Sequence, residues 1–148
     1  MAQIQRPYPT RKKSKNTRQT ILATCVRLFL EQGYTATTLM QITKEAGVSV
    51  SSVQNCFGNK DGVLLDLAEI MFSNQFETAQ RIGNQEANPL FVYAVETSIQ
   101  LTLTELNENL RDVYVAAYSN EASAEYIYRQ TSKELHKIFL PYNPDYTE

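Results

Sequence analysis

Apolar positions recur every three to four residues from Thr17 onward, and no run of alternating strand pattern bounded by turns interrupts them. Ile21, Cys25 and Leu28 form one stripe, flanked by Leu22, Val26 and Phe29, and Gly33 follows as a C-terminal stop. The pattern predicts a first helix over 17–32. Thr38 and Gln41 have the spacing of a capping box, in which each side chain satisfies an orphan amide of the other residue. A two-turn second helix follows, carrying Leu39, Ile42 and Ala46 and stopped by Gly47. Ser49 is placed to cap a short third helix over 49–56, with Val48 and Val53 spaced as a hydrophobic staple and Phe57 as its apolar anchor.

Beyond the Gly58-Asn59 break, Leu64, Leu67, Ala68, Met71, Phe72 and Phe76 predict a long fourth helix to about Ile82. Asn88-Pro89 is a start signal for a fifth, which carries Phe91, Val95, Ile99, Leu103 and Leu106. Leu110, Val113, Tyr114, Ala117 and Tyr118 match the amphipathic template for a sixth. A last helix is expected over 120–139, before Pro141 and Pro144. The expected fold class is all-α.

Composition narrows the picture. A chain of 148 residues, 43% hydrophobic and 20% charged, has enough apolar material for one sizeable core or two small ones sharing a long element. Cys25 and Cys56 make no disulfide framework. Met1–Pro9 lacks the apolar region of a secretory signal, and no apolar run approaches the ~20 residues that span a bilayer. A cytoplasmic chain without a membrane partner is expected. Its charge is divided: residues 1–60 carry nine Lys or Arg against two acids, and residues 61–148 carry five against fourteen. A basic front suits a polyanion, whose condensed counterions would be released on binding.

The segment from Thr38 to Phe57 is two short helices joined by Gly47-Val48-Ser49, the form of a helix–turn–helix. A major groove about 12 Å wide admits one helix, which needs short or polar side chains facing the bases. Val50, Ser51, Gln54 and Asn55 are assigned to that face: either amide can pair with adenine N6 and N7, and Val50 suits a thymine methyl. Thr38, Ser52 and Lys60 are assigned to phosphates.

Thr17–Leu65 resembles the N-terminal domain of the TetR/AcrR (tetracycline-repressor-like) family of transcriptional regulators. The landmarks are Ile21-Leu22, Leu28-Phe29, Gly33-Tyr34, Thr37-Thr38, Ile42, Ala46-Gly47-Val48-Ser49, Phe57, Lys60 and Leu64-Leu65. The resemblance implies a homodimeric, ligand-responsive regulator, most often a repressor. Three N-terminal helices would bind double-stranded DNA, and the rest would bind a small-molecule effector and dimerise. The division expected is then a flexible basic arm over 1–16, a helix–turn–helix DNA-binding domain over 17–58, and a helical regulatory domain over 59–148 with its first helix as connector. The family often has Lys at the position of Val50, Gly at that of Ser51, an aromatic at that of Cys56, and usually a phosphate-contacting Tyr at that of Gln54. Gln54 is therefore open between base and phosphate. Family members run on for about two further helices, so the expectation is either a fragment or shortened form, or a dimer contact made by other helices. The competing expectation is a helical ligand-binding module without sequence-specific DNA binding.

Phe72, Phe91, Tyr93, Tyr114, Tyr118 and Tyr126 are candidates for an effector pocket, the tyrosines because their hydroxyls can orient a ligand. His136 stands alone, without the Cys/His spacing of a metal site or the partners of a catalytic triad. No cofactor, metal or enzymatic activity is expected.

Overall fold

The computed structural model describes residues 11–83, 88–143 and 145. Seven helices appear among them, in the order α1 (Arg11–Ala36), α2 (Leu39–Ala46), α3 (Val50–Phe57), α4 (Lys60–Gly83), α5 (Pro89–Leu106), α6 (Glu108–Ser119) and α7 (Glu121–Phe139). No strand occurs among the described residues.

The helix boundaries follow local chemistry. Thr38 accepts the Gln41 amide while the Gln41 side chain accepts the Thr38 amide, so the capping box at the start of α2 is closed. Ser49 caps α3 by accepting from the Ser52 amide. Asn88, Asn107 and Asn120 cap α5, α6 and α7 through their side-chain oxygens. Gly33 has φ 83°, so the helical path of α1 breaks where glycine was expected to end it, and one more turn follows.

One expected boundary is corrected. Arg11–Asn16 belongs to α1 and is not part of a flexible arm. Lys and Arg are good helix formers, and no proline follows Pro9 to stop the helix. The rest of the arm, 1–10, lies outside the described residues.

Ile21, Cys25, Leu28 and Phe29 of α1 join Ile42, Val53, the α4 row from Val63 to Phe72, Val113, Tyr114 and Ala117 of α6, and Ile127 of α7 in one apolar cluster. The head formed by α1–α3 and the body formed by α4–α7 therefore share a core. Burial also pushes the Cys25 thiol up to about 12. The head is set against the body mainly by α1 packing on α6. Asp112 of α6 reinforces that contact, accepting from the Thr35 amide at 2.7 Å and the Thr35 hydroxyl at 2.8 Å.

The junction of α3 and α4 is equally close. A methyl group built on Gly62 would lie 1.8 Å from the Phe57 carbonyl oxygen. Backbone cannot yield to that extent without moving the end of α3. Gly62→Ala is expected to lose about 1–3 kcal/mol in urea unfolding, the usual range for overpacking.

Candidate nucleic-acid interface

Within α3 the apolar and polar sides are cleanly separated. Val53 is fully buried, and Cys56 and Phe57 are half-buried against the head core. Val50, at 42% exposure, and the exposed Ser51, Gln54 and Asn55 occupy the opposite arc. Those four stand at i, i+1, i+4 and i+5, so helical geometry gathers them on one side. The structure thus brings together all four residues assigned to bases, with no other element folded over them.

The residues assigned to phosphates divide. Thr38 is exposed at the first turn of α2, beside amides that favour an anion. Ser52 is half-buried, its hydroxyl 2.9 Å from that of Ser49, which also lies 2.8 Å from the Ser51 hydroxyl. Lys60 has a different task from the one expected. Its Nζ donates to the Tyr34 carbonyl at 2.9 Å and the Thr37 carbonyl at 2.8 Å, and lies 4.0 Å from the centre of the Tyr34 ring. Burial pulls its pKa below the ordinary lysine value. Lys60 fastens the loop that carries Thr38 rather than standing free toward a ligand.

Arg18 is a second cation with an internal role, and sequence reasoning had placed it only in a basic run. Its guanidinium donates to the Cys56 carbonyl at 2.6 Å, pairs with Asp66, and sits 4.4 Å above the Phe57 ring. It closes the C-terminal end of α3 and ties α1 to α4. Arg27 bridges Glu31 and Glu45, joining α1 to α2. Three of the nine bases of residues 1–60 are therefore committed to contacts within the fold, while Lys15 and Lys44 remain exposed. No sequence signal marks Arg18 or Asp112, because their partners lie 38–48 and 77 residues away.

The six aromatics proposed for one pocket do not assemble into one. Tyr114 and Tyr118 line a cleft of about 410 Å³ with Thr97, Gln100 and Leu101. Phe72 is buried behind them, edge-on to both rings. Phe91 faces a separate groove with Ile82 and Val95. Tyr93 packs on Phe139, and the Tyr126 hydroxyl donates to the Glu69 carbonyl at 3.5 Å. Helical periodicity identifies which side of a helix is inward, but not which inward residues share a cavity.

Glu96 was missed entirely. It is 3% exposed, accepts from Gln100, and forms no ion pair among the described residues. Burial pushes its pKa above the ordinary carboxylate value. A raised folded-state value means the folded state disfavours ionisation. Its cost appears as pH rises above the unfolded carboxylate range near about 4.3, and grows through the raised value. Glu96→Gln is therefore expected to stabilise the chain at neutral pH, with the two urea midpoints converging below about pH 4.3. A pH-independent offset would contradict this.

Residues 21–67, spanning most of the head and the first turns of α4, match the family model described as "Bacterial regulatory proteins, tetR family". This segment is similar to the DNA-binding part of TetR-family regulators. Among relatives, the chain is 38% identical over 66 residues to the HTH-type transcriptional regulator HbdR of Aromatoleum sp. (strain CIB), covering 44% of this chain and 29% of that one. It is 35% identical over 65 residues to the HTH-type transcriptional regulator AcrR of Shigella flexneri, covering 44% and 30%. A longer alignment, 24% identical over 135 residues, reaches the uncharacterized HTH-type transcriptional regulator YuxN of Bacillus subtilis (strain 168), covering 88% and 44%. The chain spans less than half the length of these curated relatives. No solved structure matches significantly. No helix among the described residues is long and apolar enough to cross a membrane.

Proposed function

We propose that this chain is a DNA-binding transcriptional regulator of the TetR family that inserts α3 into the major groove. It acts as a repressor, binding a pseudo-palindromic operator as a homodimer and releasing it when an effector binds. The observation that carries the reading is the exposed arc of Val50, Ser51, Gln54 and Asn55 on a helix whose apolar side is held in the head core. Thr38 at the first turn of α2 grips one phosphate, and the exposed Lys15 and Lys44 add attraction that weakens with salt. Lys60 and Arg18 act through position: Lys60 holds the loop that carries Thr38, and Arg18 holds the C-terminal end of α3. Two-fold symmetry sets the two recognition helices about 34–36 Å apart, one turn of the duplex.

The test is selection of bound sequences from a random duplex pool. Two inverted half-sites about one helical turn apart should be enriched. No enrichment would overturn the reading and leave a helical module that does not recognise DNA sequence. Within the selected site, Asn55→Ala should reduce discrimination at one base pair by about 1–3 kcal/mol and leave affinity for random duplex nearly unchanged. Equal losses on selected and random duplexes would remove Asn55 from the base-reading set.

A further inference from the structure

Between the head and the body lies a cleft of about 380 Å³, within the size range of small-molecule sites. Val26 and Leu30 of α1 form one wall, and Ile70 and Met71 of α4, Leu103 of α5 and Leu110 of α6 form much of the rest. Its lining holds two polar side chains, Gln75 and Tyr114, side by side. They end a directed chain of hydrogen bonds. Gln100 donates to Glu96 and, at 2.9 Å, to the Gln75 oxygen, and Gln75 donates to the Tyr114 oxygen at 2.7 Å. Each link fixes the direction of the next, because the carboxylate end accepts and each amide carries separate donor and acceptor atoms. The last group, the Tyr114 hydroxyl, is therefore left with its hydrogen to give.

That hydrogen meets no acceptor among the described residues, although Tyr114 is only 5% exposed. A buried hydroxyl normally finds a partner, since an unmade bond leaves the cost of desolvation uncompensated. The cleft's other lining atoms are almost all hydrocarbon, and no lysine, arginine, aspartate or glutamate is among them. An anion would meet no cation there and would have Glu96 behind the amides. A cation would meet no carboxylate and could not accept from Tyr114.

We propose that this cleft binds an uncharged, largely apolar small molecule with one acceptor oxygen, such as a ketone or ester, held by the Tyr114 hydroxyl. Such a ligand touches α1 and the body at once, so its occupancy biases how the head sits on the body. The proposal rests on the ligand-responsive part of the function given above, and its test uses no DNA, so either can fail alone.

The test is calorimetric titration of the chain with three probes of equal length, 2-nonanone, nonanoate and nonylamine. The ketone should bind tightest. Tyr114→Phe, which keeps the ring and its packing, should weaken the ketone about three- to tenfold, the value of one hydrogen bond. It should leave the weaker binding of nonylamine, whose ammonium accepts no hydrogen bond, unchanged. Leu103→Trp, at a partly exposed position on the rim, should abolish ketone binding by filling the cleft. The proposal is overturned if no probe binds, if either charged probe binds as tightly as the ketone, if Tyr114→Phe leaves ketone affinity unchanged, or if Leu103→Trp does.

Discussion

Ser51→Glu is expected to lower affinity for the selected operator by at least about 100-fold while leaving the chain folded. Ser51 is exposed near the middle of the arc that would face the groove, two positions past the cap of α3. A carboxylate in the first turn of a helix interacts favourably with the helix dipole, so stability should hold or rise slightly. The same charge would be carried into the groove between two rows of phosphates. Like-charge juxtaposition at an interface costs several kcal/mol, and 100-fold corresponds to about 2.7 kcal/mol. Ser51→Ala, which removes a hydroxyl without adding charge, should lose far less. The check is fluorescence anisotropy with labelled operator, beside circular dichroism melting of each variant. Retention of operator affinity by Ser51→Glu would mean that α3 does not enter the groove.

The largest effect on stability is expected from Phe29→Ala, a loss of about 3–5 kcal/mol in urea unfolding. Phe29 is 2% exposed, meets Tyr34 edge-on with ring centres 5.2 Å apart, and belongs to the cluster shared by head and body. Single domains have roughly 5–15 kcal/mol in total, so the loss would populate the unfolded state measurably. Its neighbour Leu30 is exposed at the cleft, and Leu30→Ala should cost less than about 1 kcal/mol. A loss for Phe29→Ala no greater than that for Leu30→Ala would contradict the single shared core.

These expectations depend on features of unequal visibility in the sequence. Helix starts were legible because caps are local: Thr38 with Gln41, Ser49 with Ser52, and Asn88 with Leu90 act within three residues. The stop at Gly33 and the turn at Gly47 were legible for a similar reason, since each has positive φ and glycine tolerates it. The exposed side of α3 followed from its one buried position, Val53. Interactions that hold the elements of the head together were not legible. Arg18 and Lys60 look like any other bases in a cationic segment, and only the fold places carbonyls of Cys56, Tyr34 and Thr37 beside them. Glu96 sits in a helix with polar residues on either side of its apolar stripe, so nothing in its spacing announces burial. Net charge misled for the same reason, because it counts bases without regard to their partners.

Whether α3 reads base edges in the major groove is decided by 7-deazapurine substitution. Each adenine and guanine of the selected half-site is replaced in turn by its 7-deaza analogue, which removes the N7 acceptor from the major groove and leaves the minor groove intact. If α3 reads base edges, one or two positions lose about tenfold or more in affinity, in line with the roughly 1–3 kcal/mol of a bidentate contact, and Asn55→Ala or Gln54→Ala no longer distinguishes natural from substituted duplex there. Full affinity for every substituted duplex would contradict that reading.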